Sequence, residues 1–266
     1  LILFVAIFIN LLLLIFYKYS SMIVINLNAI LDYNYTFNYP DLPLGISFFT
    51  FLQIAYIVDC SKGKVTKTSF SSYFLFVSFF PHLIAGPLVH HKDLIPQFSL
   101  KSKRIAENIS VGLIIFGIGL FKKLILSEYV SLSSDNMFNG VDNGIMPSFI
   151  DAWIGVLSFT LLIYFDFSAY SDMAIGLSKM IGIRLPENFN SPYKSNNIIE
   201  FWRRWHITLS QFLKNYLYIP LGGNRKGDTK KYINILIVMT LAGLWHGADW
   251  TFVLWGTIHG CLLLIN

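Results

Sequence analysis

Two histidines, His206 and His246, lie within or next to apolar sequence. An ionisable side chain is unfavourable in such surroundings, so its presence there calls for an explanation. His246 lies between two long apolar stretches, in the string GLWHG of residues 243–247. Ionisable groups inside membrane segments are costly and generally face a cavity or a partner, so a functional role is the first hypothesis. The alternative is a histidine at a helix end near the lipid headgroups, because residues 247–249 (GAD) can form a surface turn. A neutral imidazole titrates close to physiological pH, which suits it to act as a general base.

The pattern around His206 predicts an amphipathic helix over Ile198–Leu217, with an apolar arc and a polar remainder at about 100° per residue. On this wheel His206 falls on the shoulder of the apolar arc, about 40° from Trp202, so it points to protein or membrane. An interfacial histidine bonded to a neighbour is the alternative to a functional role. Pro220 and residues 222–224 (GGN) are predicted to end the helix. The apolar arc contains Trp202, Trp205, Leu209, Phe212, Leu213, Tyr216 and Leu217.

Other acids and candidate ligands carry weaker signals. Asp166 and Asp172 lie six residues apart, so on a helix they point to different faces and do not form a carboxylate pair. Either one can orient a histidine or line a tunnel, and capping together with nearby serines is the alternative. No cysteine or acidic residue accompanies His206 and His246 at metal-ligand spacing, so we predict no metal site. The remaining histidines are predicted to be structural: His82, His90, His91 and His259.

The composition indicates that lipid is the solvent for most of the chain. Hydrophobic residues make up 55% of the 266 residues and charged residues only 13%, whereas a soluble domain carries about 25% charged residues. A soluble chain of this length would leave large apolar patches exposed. The net charge of +5 comes from basic clusters that border apolar runs, as expected of residues that anchor helix ends. Nucleic-acid binding is disfavoured because no cluster lies on a hydrophilic domain.

The apolar stretches predict about six to eight membrane helices in a single domain over residues 1–266. Two asparagines suggest that Ser20–Leu31 is re-entrant. Phe70–Val89 is also a re-entrant candidate, because the basic loops near Lys62 and Lys101 cannot both be cytosolic if this segment spans. We expect this chain to be part of a longer protein with further helices at both ends. The other predicted helical segments are Leu1–Tyr17, Leu42–Val58, Ile105–Leu126, Phe149–Phe165, Ile233–Trp245 and Trp250–Ile265.

Two long strings are unusual: FWRRWHITLSQFLKNYLYIPLGGN at residues 201–224 and LWHGADWTFVLWGTIHG at residues 244–260. Both resemble the membrane-bound O-acyltransferase (MBOAT) family, in its branch of alginate and peptidoglycan O-acetyltransferases. Leu42–Asp59, Phe79–Phe98 and Tyr164–Tyr193 resemble the same branch. The resemblance implies an all-α integral membrane protein, built as a multi-helix bundle with re-entrant and interfacial amphipathic helices around a central tunnel.

The same resemblance implies an activity. Members of this branch move an acetyl group from cytosolic acetyl-CoA across the bacterial cytoplasmic membrane to an extracytoplasmic, esterase-like partner, which then modifies a polysaccharide. His246 matches the family's active-site histidine and His206 a second important one, and their separation of 40 residues fits the family. As a hypothesis, His246 is the general base that deprotonates the attacking hydroxyl, and His206 orients a substrate or stabilises the oxyanion.

Cations near the amphipathic helix are candidate partners for the phosphates of acetyl-CoA, which we expect to be a donor substrate and not a permanently bound cofactor. An arginine fork recognises phosphate well, although anchoring to lipid headgroups explains each of these residues equally. The candidates are Arg203, Arg204, Arg225 and Lys226. Two alternatives stay open: D-alanyl transfer to teichoic acid from a carrier-protein thioester, and a transporter without chemistry, for which the sequence lacks an internal repeat.

Overall fold

The computed structural model describes residues 1–65, 68–83, 86–100 and 104–266, and all regular secondary structure in these ranges is helical. The predicted basic loop at Lys101 lies outside the described residues. Short helical turns cover His91–Leu94, Ile95–Ser99 and Pro192–Lys194, and a π-helical turn covers Lys214–Tyr218. The helices are α1 (Ile2–Leu31), α2 (Ile46–Ser61), α3 (Phe70–Val77), α4 (Ile105–Asp142), α5 (Phe149–Met180), α6 (Ile198–Arg204), α7 (Ile207–Leu213), α8 (Asp228–His246) and α9 (Trp250–Ile265).

Three helices within the described ranges are long and apolar enough to cross a membrane: α1 with 30 residues, α4 with 38 and α5 with 32. At about 1.5 Å per residue, each exceeds the roughly 30 Å of a bilayer's hydrocarbon core. Large apolar side chains on them are exposed, as expected of surfaces that face lipid; Phe4 is 75% exposed and Ile114 is 63% exposed. The predicted all-α membrane architecture is confirmed, whereas the central tunnel stays a prediction.

The prediction that Ser20–Leu31 is re-entrant is wrong, because this segment is the second half of α1, which continues through it without reversal. A π-helical turn at Ile15–Tyr19 joins the two halves. Asn26 donates its side-chain amide to the carbonyl of Met22 at 2.7 Å, one helical turn earlier. This local bond satisfies a polar side chain within an apolar helix, so the asparagine does not force the chain to turn back.

Among the described residues of the predicted apolar segment Phe70–Val89, only α3 is helical. Ser69 caps α3 by accepting the backbone N–H of Ser72 at 3.1 Å, and the helix ends at Val77. Pro81 and Pro87 follow, and proline lacks the N–H that a continued helix needs. Eight helical residues are too short to cross a bilayer, so α3 by itself does not span one, and the re-entrant form of this segment stays a prediction.

The chain divides into two compact units. The first unit consists of Leu1–Ser78, Leu88–Lys92 and Phe189–Asn266, and the second of Phe79–Pro87 and Asp93–Asn188. The single domain inferred from the sequence stays a prediction.

In the second unit, α4 and α5 pack closely through glycine. A Cβ atom added at Gly112 would lie 2.7 Å from the carbonyl oxygen of Gly176, and one at Gly119 would lie 2.8 Å from that of Ala169. Small residues thus let the two backbones approach, as in many membrane helix pairs.

Two ion pairs join the same helices and decide the roles of the aspartates. Lys122 Nζ donates to Asp172 Oδ2 at 2.6 Å, and Lys123 donates to Asp166, which also accepts from Ser127. The prediction that the two aspartates do not form a pair is confirmed. Their alternative role as caps is wrong, because each carboxylate binds a lysine on the neighbouring helix.

Candidate active site

His246 is the last residue of α8, and its position follows from how α8 meets α9 in the first unit. Gly247 is extended (φ −158°, ψ 152°), and Asp249 starts α9 by accepting the backbone N–H of Thr251 at 2.8 Å. One turn before His246, a Cβ atom on Gly243 would lie only 2.9 Å from the Cα of Gly256 on α9. The glycine contact therefore holds the end of α8 against α9.

His206 lies at a break in the predicted amphipathic helix, so the continuous helix over Ile198–Leu217 is wrong. Helix α6 ends at Arg204 and α7 begins at Ile207, with His206 between them in the left-handed region (φ 42°, ψ 54°). Such a conformation costs a non-glycine residue on the order of 1–3 kcal/mol. Around the break, Trp205 donates to the Phe201 carbonyl at 2.8 Å, and the His206 carbonyl accepts from Ser210 at 3.0 Å.

Both predicted active-site histidines contact the same indole ring. The ring centroid of Trp245 lies 6.4 Å from that of His206 and 4.9 Å from that of His246. Trp245 is itself stacked on Phe51 at 5.2 Å, and His246 meets Trp255 edge-on at 5.2 Å. Residues 40 positions apart in the sequence are thus gathered around one aromatic group.

The two histidines differ in exposure. His206 is 1% exposed, whereas His246 keeps accessible surface. Burial, with a smaller contribution from the charge that His246 can carry, lowers the pKa of His206 to about 3, so its imidazole is neutral at pH 7. The accessible histidine can meet a substrate directly, and the buried one can position groups through its neighbours.

A lysine that sequence reasoning missed supports the end of α8. Lys18 of α1 donates to the carbonyl oxygen of Trp245 and, at 3.4 Å, to the hydroxyl of Ser47. Its neighbour Tyr19 donates to the carbonyl of Leu244 at 2.9 Å. The last carbonyls of a helix lack intrahelical partners, and a cation there also complements the helix dipole. Lys18 is the single charged residue between positions 1 and 31, and this isolation was the available signal.

Several buried polar atoms near these histidines have no hydrogen-bond partner among the described residues. They are the indole N–H groups of Trp202 and Trp245 and Nδ1 of His259. His259 packs against Trp202 at 5.4 Å and against Trp255 at 4.6 Å. Buried polar groups are nearly always paired in native proteins. His259, predicted to be structural, belongs to the same aromatic cluster as Trp202 and Trp255.

The predicted phosphate ligands fall into two groups. Arg204 pairs with Glu200 at 2.7 Å and donates to the carbonyl of Asn190 at 3.3 Å. A backbone hydrogen bond from Asn196 and the bond from Arg204 lower the pKa of Glu200, so the pair is ionised at pH 7. These contacts show that Arg204 stabilises the local structure around α6.

The other three cations are exposed, and the structure records no ion pair for them in the ranges it describes: Arg203, Arg225 and Lys226. Two of them follow a turn in which Gly222 and Gly223 have positive φ. Buried Asn234 of α8 fastens this turn by donating to the carbonyl of Gly223 at 2.8 Å. Both cations are therefore presented from an ordered loop.

An apolar cavity of ≈ 670 Å³ lies beside Trp245 in the first unit. Its walls come from α1, α2, α7 with its π-helical turn, and α8. The lining includes Leu14, Phe51, Phe212, Leu241, Leu244 and Trp245. A volume of this size is ample for a small organic ligand or part of a lipid chain.

Three more histidines were predicted to be structural: His82, His90 and His91. His82 is fully buried and packs on Phe79 at 5.5 Å, which agrees with a structural role. His90 and His91 both approach the carboxylate of Asp59, and their structural role stays a prediction.

Comparison with known proteins identifies the family to which the chain is similar. A family model described as the membrane-bound O-acyltransferase family matches residues 5–266. The peptidoglycan O-acetyltransferase of Helicobacter pylori is 46% identical over 94% of this chain and 52% of its own length. A probable alginate O-acetylase of Pseudomonas aeruginosa is 43% identical over 94% of this chain and 48% of its own length. A teichoic acid D-alanyltransferase of Streptococcus thermophilus is 27% identical over 84% of this chain and 56% of its own length.

The chain spans about half the length of the curated relatives it matches. The match nevertheless runs through nearly all of the chain and includes α8, α9 and the break at His206. The chain therefore belongs to the membrane-bound O-acyltransferase family.

Proposed function

We propose that the protein containing this chain is a membrane O-acyltransferase. It moves an acetyl group from cytosolic acetyl-CoA, through the bacterial cytoplasmic membrane, for O-acetylation of a polysaccharide outside the cell membrane. The observation that carries the proposal is the contact of His206 and His246 with one indole, Trp245, in a chain of this family. Relatives named for acetylation of peptidoglycan and alginate, at 46% and 43% identity, favour acetyl as the group transferred.

In the proposed reaction His246 is the general base. Its accessible imidazole takes the proton of the acceptor hydroxyl while that oxygen attacks the thioester carbonyl carbon. The tetrahedral intermediate then collapses and the carbon–sulfur bond breaks. The CoA thiolate leaves and takes up the proton that His246 had accepted. The products are an acetyl ester and free CoA, with the histidine neutral again.

His206 acts as a positioning residue or an oxyanion partner in the same scheme. Its enclosed, neutral ring can donate a hydrogen bond without the cost of burying a charge. The indole N–H of Trp245 is a second donor close to both histidines. Donors fixed before the reaction stabilise the developing oxyanion without reorganisation.

The exposed cations Arg203, Arg225 and Lys226 are proposed to bind the phosphates of acetyl-CoA. Arg204 contributes indirectly, because its pair with Glu200 holds the segment that carries Arg203. The acceptor is proposed to be an extracytoplasmic, esterase-like protein that passes the acetyl group to an alginate-like, peptidoglycan-like or capsule-like polysaccharide.

D-alanyl transfer to teichoic acid is the second candidate, supported by the relative named as a teichoic acid D-alanyltransferase. The identity to that relative, 27%, is lower than to the O-acetylating relatives, so D-alanyl transfer is the less well supported function. Membership of an acyltransferase family argues against transport without chemistry.

The test uses the full-length protein in inverted membrane vesicles together with its extracytoplasmic partner. Acetyl-labelled CoA is supplied from the cytosolic side, and label on the lumenal protein or glycan is measured. We expect His246→Ala to abolish transfer, His206→Ala to reduce it strongly, and exposed Lys230→Ala to match the wild type. Transfer at the wild-type rate by His246→Ala refutes the assignment of the base. Transfer only from a D-alanyl carrier thioester identifies the second candidate.

A further inference from the structure

Four polar side chains of the first unit, none of them assigned to the proposed acyl transfer, meet at one point. Asp59 comes from the last turn of α2, His90 and His91 from the segment Leu88–Lys92, and Tyr216 from the π-helical turn after α7. Asp59 Oδ2 lies 2.8 Å from His90 Nε2, 3.2 Å from His91 Nε2 and 2.6 Å from the Tyr216 hydroxyl. Two imidazoles, a carboxylate and a phenol therefore share one small volume.

The surroundings hold these groups in place. Asp59 is 3% exposed and His91 is 4% exposed. The ring of His91 meets Tyr56 edge-on at 5.4 Å and Phe76 at 6.4 Å. The segment carrying both histidines is anchored to α7, because the Leu88 backbone N–H donates to the hydroxyl of Thr208 at 2.9 Å. The side chains are preorganised by packing and not loose on a surface.

The carboxylate of Asp59 has more neighbouring polar groups than one of its oxygens can readily bind by hydrogen bonds. Three groups approach the single oxygen Oδ2 of Asp59 within 3.2 Å, and a carboxylate oxygen has two lone-pair directions. The hydroxyl of Tyr216 also lies 2.5 Å from His90 Nε2. A cation at the centre would replace the shared protons and bind all four groups at once.

The spacing also fits a metal ion. The candidate ligand atoms of Asp59, His90 and His91 lie within 4.8 Å of one another. Zinc bonds of about 2.0–2.1 Å in a tetrahedral site place ligand atoms roughly 3.3 Å apart. The separations of the carboxylate oxygen from the two imidazoles, 2.8 and 3.2 Å, reach that value with shifts of up to about half an ångström. The Tyr216 hydroxyl, 2.6 Å from Asp59 Oδ2 and 2.5 Å from His90 Nε2, must move outward by about 0.7–0.8 Å.

We propose that Asp59, His90 and His91 bind a divalent transition metal of the Zn²⁺ type, with the Tyr216 hydroxyl as the fourth ligand. Imidazole nitrogen with a carboxylate oxygen is a donor set that suits zinc. Because all four positions are filled by protein groups, the ion is structural. It fastens α2, the segment Leu88–Lys92 and the end of α7 to one another, and it takes no part in acyl transfer.

The experiment measures metal on the full-length protein, purified in detergent without a metal-affinity step. After chelation and dialysis, Zn²⁺ is titrated in, and Co²⁺ is added in parallel because tetrahedral Co²⁺ has strong visible absorption. We expect about one equivalent to bind, with affinity lowered by at least roughly 10–100-fold in Asp59→Asn and in His91→Gln. Tyr216→Phe is expected to weaken binding less, and His82→Gln, a buried histidine of the second unit, is the matched control.

The Co²⁺ titration of the wild type decides the proposal even if a variant fails to fold. Tetrahedral absorption that Zn²⁺ displaces supports it, as does a melting temperature that rises with added Zn²⁺ in the wild type but not in Asp59→Asn. Absence of binding by the wild type, or equal binding by Asp59→Asn, overturns it. The readout is metal binding and not acetyl transfer, so its failure is distinct from failure of the proposed function.

Discussion

The contact between α8 and α9 at Gly243 makes the placement of His246 open to a direct test. A Cβ atom added at Gly243 would lie 2.9 Å from the Cα of Gly256 and closer still to the carbonyl oxygen of Phe252. Ordinary contacts of a Cβ atom begin at 3.4 Å. Gly243→Ala must therefore push α8 and α9 apart by about half an ångström or more, because helix backbone cannot turn aside as a side chain can.

The displacement acts where His246 meets Trp255. His246 lies one turn after Gly243, and Trp255 is the neighbour of Gly256. Overpacking of this kind costs about 1–3 kcal/mol of stability. A misplacement of about 1 Å at a catalytic group costs on the order of 10²-fold in rate, so we expect a loss of roughly tenfold or more from the smaller shift.

The assay compares acetyl transfer in inverted vesicles at equal amounts of inserted protein, with thermal unfolding in detergent measured beside it. Gly117→Ala is the matched control, because a Cβ atom there meets nothing within 4 Å and alanine favours a helix. The control is expected to keep the wild-type rate and to melt at or above the wild-type temperature. A Gly243→Ala protein as active and as stable as the wild type would refute the argument that this contact positions His246.

The remaining predictions concern Lys18, His206 and the exposed cations. Lys18→Met leaves the carbonyl of Trp245 without its charged hydrogen-bond donor, and such a bond is worth about 1.5–3 kcal/mol. The transfer rate at saturating acetyl-CoA should therefore fall about tenfold or more, with partial recovery in Lys18→Arg. An unchanged rate would contradict the proposal that Lys18 positions the end of α8. The pKa of His206 falls from 6.5 to about 3 on burial, so its contribution to stability is present above pH 6.5 and is lost as the pH falls towards 3. Between pH 7 and pH 5 this amounts to about 2 kcal/mol, so the loss of stability on acidification should be larger in the wild type than in His206→Asn, chosen because asparagine tolerates positive φ. Burial also lowers the pKa of His82, to about 4, so part of the loss remains in both proteins. Replacing Arg225 and Lys226 together by Ala should raise the KM for acetyl-CoA several-fold with little change in kcat, whereas Lys230→Ala should change neither; equal values for all three proteins would exclude phosphate binding by this loop.

The sequence by itself was enough to predict that the chain is an all-α membrane protein. Apolarity is a local property, and each helix that must lie in lipid needs its own run of apolar residues, so α9 was predicted at its observed bounds and α4 and α5 at their observed first residues. The observed α4 and α5 continue to Asp142 and Met180, 16 and 15 residues beyond the predicted ends, and α1 joins two segments that were predicted separately. The same reasoning drew attention to His206 and His246, because an ionisable residue in apolar surroundings is visible without knowing its neighbours.

Only the tertiary structure decided how these elements bend and meet. The break at His206 depends on a positive φ held by contacts of Phe201, Trp205 and Ser210, which helical periodicity does not record. The cluster around Asp59 joins groups 31 and more positions apart, and the support of Trp245 by Lys18 joins residues 227 positions apart. A single sequence lists which side chains are present, but packing of distant segments selects which of them become partners, and that selection makes the candidate sites.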